Sequence, residues 1–89
     1  MNKWFAAHIV MYVEFKTESQ TTFPVWENIV LINANSDDEA FGKAERKGLE
    51  SEGDDGGSFE WEGLPARWVF AGVRKLTLCK NGRLLRWDL

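Results

Sequence analysis

From Trp4 to Lys16 the chain alternates. Phe5, Ala7, Ile9, Met11, Val13 and Phe15 are apolar and spaced by two, with Trp4, Ala6, His8, Val10, Tyr12, Glu14 and Lys16 between them. Period two predicts a strand whose odd-numbered residues form a core face. The intervening set is amphipathic, more apolar than a sheet face turned to water requires. A further segment or a second subunit is therefore expected to cover part of it. Thr17 to Thr22 is polar and predicts a loop. Phe23-Pro24 then opens a second strand, Val25 to Ala34, with Pro24 where a missing N–H does little harm. Its centre, Ile29-Val30-Leu31-Ile32, is apolar on both faces, the pattern of a central strand. The short connection predicts an antiparallel hairpin between the two.

At Asn35-Ser36 the period changes. Ser36-Asp37-Asp38-Glu39 has the spacing of a capping box, with the Ser36 hydroxyl accepting from the Glu39 amide and Glu39 reaching back to the Ser36 amide. Asp37 and Asp38 place negative charge in the first turn, where the helix dipole favours it by about 0.3–1 kcal/mol each. The predicted helix runs to Glu50, with Ala40, Phe41, Ala44, Gly48 and Leu49 as its buried stripe and Gly53 as the residue that ends it. Small residues at 40, 44 and 48 let the helix approach a sheet closely.

Beyond the loop Gly53-Asp54-Asp55-Gly56-Gly57, Ser58 to Glu62 alternates as a short edge strand, and Gly63-Leu64-Pro65 predicts a turn. Arg67 to Leu76 predicts a third long strand, with Trp68, Phe70 and Gly72 on one side and Val69, Ala71 and Val73 on the other. Asn81-Gly82 suits the two positive-φ positions of a type I′ turn. Pairing outward from it sets Cys79 against Leu84 and Leu76 against Trp87. The predicted fold is α+β, a single helix packed on an antiparallel sheet in the order β-β-α-β-β-β. Residues 1–89 form one domain, with 76–89 a C-terminal β-hairpin extension.

Composition sharpens this picture in three places. Five Trp and six Phe in 89 residues are many, and indoles favour thin cores and interfaces alike. The net charge of −3 is unevenly spread: residues 1–63 carry −8, and residues 64–89, with Arg67, Arg74, Lys75, Lys80, Arg83 and Arg86 against Asp88, carry +5. Such a split fits neighbouring ends of the fold, or a basic end meeting an acidic face of another copy. It weighs only slightly for nucleic acid, because the whole chain is acidic and counterion release needs clustered cations. The one cysteine, Cys79, excludes an internal disulfide and a cysteine metal knuckle and suits a reducing cytoplasm. The apolar run from Trp4 to Val13 is too short for a membrane span, and Glu14 and Lys16 stand where a signal peptide would have its cleavage site.

Candidate chemistry is sparse. No GxSxG, Walker A, GxGxxG, HExxH or CxxC occurs. His8, the one histidine, needs cross-strand neighbours to make a site. Asp54-Asp55 lacks the spacing and the closing Glu of a calcium loop. Asp37, Asp38 and Glu39 are accounted for by capping and the dipole, so no metal or cofactor is expected.

Several of these residues carry a resemblance. Trp4 leads the first strand. Glu27 precedes the aliphatic run Ile29-Val30-Leu31-Ile32. Ala34, Ser36, Glu39, Ala40 and Ala44 span the capped helix, and Trp68, Phe70 and Val73 mark the late strand. Over roughly residues 3–76 this resembles the bacterial domain of unknown function 4288 family, departing from it in the loop 53–57 and the added hairpin 77–87. The resemblance implies a fold and a bacterial cytoplasmic setting, not a reaction. Glu27 is the matched position that capping and packing leave unexplained, which singles it out as a functional carboxylate.

The expectation is a non-enzymatic interaction module that forms a homodimer and binds a protein partner, with Trp4, Trp26 and Trp87 at interfaces and no membrane role. The alternative is a small-molecule binder or enzyme whose sheet-face pocket brings together Glu27, His8 and Tyr12. A weaker one is nucleic-acid binding through the basic C-terminal hairpin.

Overall fold

The computed structural model describes residues 2–53 and 57–79. Strand β1 spans Lys3–Phe15, β2 Val25–Ala34, helix α1 Asp37–Glu50, β3 Glu60–Trp61 and β4 Leu64–Cys79. All neighbours pair antiparallel in the order β2-β1-β4-β3. The chain is thus α+β, one helix against a four-stranded antiparallel sheet. The Asn81-Gly82 turn, the last strand with Trp87, and Asp54-Asp55 lie outside the described residues.

β1 is the spine of the sheet. Phe5, Ala7, Ile9, Met11 and Val13 are all buried, as period two required. Phe5, Ala7, Ile9 and Met11 meet Ile32 and Ala34 of β2 and Ala40 and Ala44 of α1, flanked by Trp68, Phe70, Val73 and Leu76 of β4. Phe5 and Val13 are the largest fully enclosed side chains, each stabilising by about 1.5–3 kcal/mol. Gln20 stitches the loop between β1 and β2: its side-chain oxygen accepts from the Phe15 amide at 2.8 Å and its amide donates to the Val13 carbonyl at 3.1 Å.

β2 lies at the sheet edge, not its centre. Its second apolar set, Val25, Ile29 and Leu31, is exposed, so the double-sided pattern marks an uncovered surface. Ser36 caps α1, its hydroxyl accepting from the Glu39 amide at 3.1 Å. The Glu39 carboxylate reaches one residue further back than a capping box requires, accepting from Asn35 N–H at 2.8 Å. Ala40, Ala44 and Gly48 form the buried stripe, while Phe41 and Leu49 face outward; the narrow small-residue stripe seats the helix, so bulkier neighbours stay at its flanks. The helix ends at Ser51 in right-handed geometry. Gly53 instead bridges to Trp68 through reciprocal backbone bonds of 3.2 Å.

Two expectations about the late strands change. The turn before β4 is Glu62-Gly63, both at positive φ (54° and 81°), between the paired Trp61 and Leu64. That is the sign pattern of a two-residue type I′ hairpin, and Pro65 belongs to the strand. β4 runs on through Thr77–Cys79 as one strand, and its register against β1 shifts between His8 and Ile9 and between Val10 and Met11. Each shift adds a residue and reverses the alternation. Val73 therefore joins Trp68 and Phe70 on the helix side, although strict alternation set it opposite them.

Candidate functional site

The sheet face away from α1 is built by the even-numbered residues of β1 and their partners. Val10 stands opposite Glu27, His8 opposite Ile29, Tyr12 opposite Val25 and Glu14 opposite Arg67. The extra residue at the first shift is Arg74, between Val73, which pairs Ile9, and Lys75, which pairs His8. The bulge turns Arg74 onto this face, and its side chain crosses the width of β1 to reach β2.

One oxygen of Glu27 gathers the cluster. Oε2 accepts from Arg74 Nε at 2.9 Å and Nη2 at 2.5 Å, and lies 2.6 Å from His8 Nδ1. An ionised carboxylate only accepts, so Nδ1 carries the hydrogen and Nε2 is left for another group. The Arg74 hydrogen bonds, and after them that from His8, hold the Glu27 carboxyl below its ordinary range; Glu27 in turn raises Arg74. His8 and Glu27 are two-thirds or more covered, while Arg74 is more than half exposed. No hydroxyl or thiol hydrogen-bonds to Nε2 among the described residues, so the cluster orients an imidazole without presenting it with a nucleophile.

Tyr12 shares the face but not the cluster. It packs edge-on against Phe23 at 5.4 Å between ring centres. Together they line a shallow hollow of about 310 Å³ with Val10, Glu14, Val25 and Ala71. Arg67 donates to Glu14 at the same end, at 2.8 Å through Nε. Two arginines of the basic C-terminal part are thus engaged by glutamates of the acidic part, which accounts for some of the charge split and withdraws both from a phosphate-binding patch.

The tryptophans divide. Trp4 sits at one end of the open face. Trp26 is on the helix side, where it meets Trp61 at 5.2 Å and Trp68 at 5.0 Å, both edge-on, and Phe59 stacks on Trp68. These two therefore serve different surfaces, and Trp87 lies outside the described residues. Among those residues no three His, Cys, Asp or Glu side chains converge on a metal position, and no helix is long and apolar enough to cross a membrane.

Of the three pocket residues read from the sequence, His8 and Glu27 are brought together, and Tyr12 stands two pleat repeats along β1 from His8. Arg74 is the member of the cluster that the alternation of β4 does not place on this face. Nothing in GVRK marks a bulge except Gly72 itself, which adopts φ 151°, a conformation that side chains disfavour.

A helix on one face of an antiparallel sheet and a Glu-His-Arg cluster on the other define a small α+β domain. Within that class the chain belongs to the family described as Domain of unknown function (DUF4288), whose model matches residues 4–84. The match spans the loop 53–57 and runs to residue 84, past residue 76 where the resemblance in the sequence ends, so residues 77–84 belong to the family's span rather than to an addition. No curated protein and no solved structure matches the chain.

Proposed function

We propose that the chain is a non-enzymatic interaction module that self-associates as a dimer and binds a protein partner. The observation that supports this is the open sheet face. Antiparallel sheets with one wet face alternate apolar with polar, yet here Trp4, Phe23, Val25, Ile29 and Leu31 are each more than a third exposed around a neutralised charged cluster. Contiguous apolar surface of this kind marks interaction sites. The setting we assign is the bacterial cytoplasm, which the family resemblance implies and which a lone free thiol at Cys79 suits. Sedimentation equilibrium at micromolar concentration tests the self-association: a dimer is expected, and a 10.2 kDa species at every concentration would sink it.

A second reading has its own observation, the 2.6 Å contact of His8 with Glu27. A carboxylate that fixes an imidazole leaves Nε2 to accept from, or donate to, a small ligand. Tyr12, two pleat repeats from His8, would line the same face. Titration with fragment mixtures, read by amide shifts of residues 8, 12 and 27, tests it; shifts confined to the helix side would remove it.

A further inference from the structure

We infer that the dimer interface is the outer edge of β2, paired antiparallel with the same strand of a second copy about a two-fold axis at Asn28. This rests on the self-association reading and places the dimer contact at the strand edge beside the open face, which is left for the protein partner.

The backbone sets the terms. Val13 N–H donates to the Pro24 carbonyl at 3.0 Å, so Pro24 and the even-numbered residues of β2 turn their polar groups toward β1. Val25, Glu27, Ile29, Leu31 and Asn33 turn theirs outward. Asn33 is taken: its carbonyl accepts from Lys43 Nζ at 2.7 Å. That leaves the N–H and C=O of Val25, Glu27, Ile29 and Leu31, for which no backbone partner exists among the described residues.

Native edges are usually blunted by bulges, prolines or charge. The register of β2 on β1 is unbroken, no proline interrupts it, and its one charge, Glu27, is neutralised by Arg74. The start of β4's outer edge is treated differently. Phe59, Gly53 and the Glu52 carboxylate accept in turn from the amides of Ala66, Trp68 and Phe70. Among the described residues β2 has only Lys43, and only at one end.

The open stretch is its own complement. Four outward residues centred on Asn28 pair as Val25 with Leu31 and Glu27 with Ile29, each twice, giving about eight hydrogen bonds at two per pair. Asn28 meets its own copy, and carboxamides donate and accept reciprocally. On the same side Trp26 faces Val30. On the other, Val25 meets Leu31, and Ile29 covers the stem of Glu27. The two Glu27 side chains fall on a diagonal, about 7–8 Å apart, and each is already held by an arginine. Axes at Ile29 or Val30 would need the Asn33 carbonyl that Lys43 occupies. An isologous pair about Asn28 therefore closes with nothing left over.

The test uses the full chain with Cys79→Ser, adding Asn28→Cys or Val30→Cys. Facing residues of a non-hydrogen-bonded pair lie about 4.5 Å apart at Cα, within disulfide reach. The expected result is a dimer by sedimentation that is covalently trapped on mild oxidation at position 28 and not at 30. In the unmodified chain, the amides of Val25, Glu27, Ile29 and Leu31 should exchange more slowly as concentration rises. A monomer by sedimentation overturns the self-association reading itself. A dimer that cross-links at 30 or at neither position, or one that leaves those four amides unprotected, overturns the edge pairing alone.

Discussion

Gly48 and Phe70 occupy one volume. A Cβ added at position 48 would lie against Cδ1 and Cε1 of the Phe70 ring, closer than carbon atoms can approach. The helix can lie this near β4 only because position 48 has no side chain, and Phe70 covers the gap.

Gly48→Ala is therefore expected to destabilise. Overpacking costs about 1–3 kcal/mol, against a gain of about 0.8–1.0 kcal/mol in helix propensity, so the net effect is a loss. Gly42, in the same helix, has nothing within 4 Å of its added Cβ, and Gly42→Ala should stabilise by up to about 1 kcal/mol. Urea unfolding of the two variants should give opposite signs. Equal signs would mean that α1 does not sit on Phe70 in solution.

Gly72→Ala separates backbone strain from crowding. Nothing lies within 4 Å of an added Cβ there, but φ is 151°. The expected loss of about 1–3 kcal/mol arises from conformation alone. Because Gly72 lies between the two register shifts that turn Arg74 outward, the amide shifts of His8 and Glu27 should move as well. An unchanged midpoint would show that position 72 is not held at positive φ.

How far the fold could be read from the residues follows from where alternation is regular. β1 and α1 obey single periods, so the buried odd set and the cap at Ser36 were legible. β4 does not: two added residues reverse its phase, and Val73 and Arg74 both fell on the wrong side of a simple count. β2 misled for a different reason. Apolar residues on both faces mean either two covered faces or one face waiting for cover, and composition cannot separate the two. The candidate site was half visible. Glu27 stood out as an unexplained carboxylate and His8 as the lone imidazole. Their union depends on register, and Arg74 depends on a bulge.

Ser36→Ala should cost about 1 kcal/mol, the usual value of an N-cap, by leaving the Glu39 amide unsatisfied. Ser36→Asp should restore most of it, since a carboxylate accepts the same bond and suits the helix dipole. Thermal melts rank the three chains. Ala and Asp variants of equal stability would mean that the hydroxyl is not acting as a cap.

Acid should weaken the fold through two carboxylates. Glu27 is held below its usual value of 4.5, chiefly by the Arg74 hydrogen bond; Glu39 is held below 4.5 chiefly by the Asn35 amide and then by Lys43. A group whose folded value is depressed binds fewer protons in the native state. Its contribution is complete above 4.5 and lost as pH falls through the lowered values. The melting temperature should therefore be insensitive to these groups between about pH 7 and pH 5 and should fall below about 4.5. Glu27→Gln and Glu39→Gln should each flatten part of that acid slope, and Arg74→Ala should flatten the Glu27 part while leaving that of Glu39. If Arg74→Ala left the slope unchanged, the contact across β1 would not be what holds Glu27 ionised.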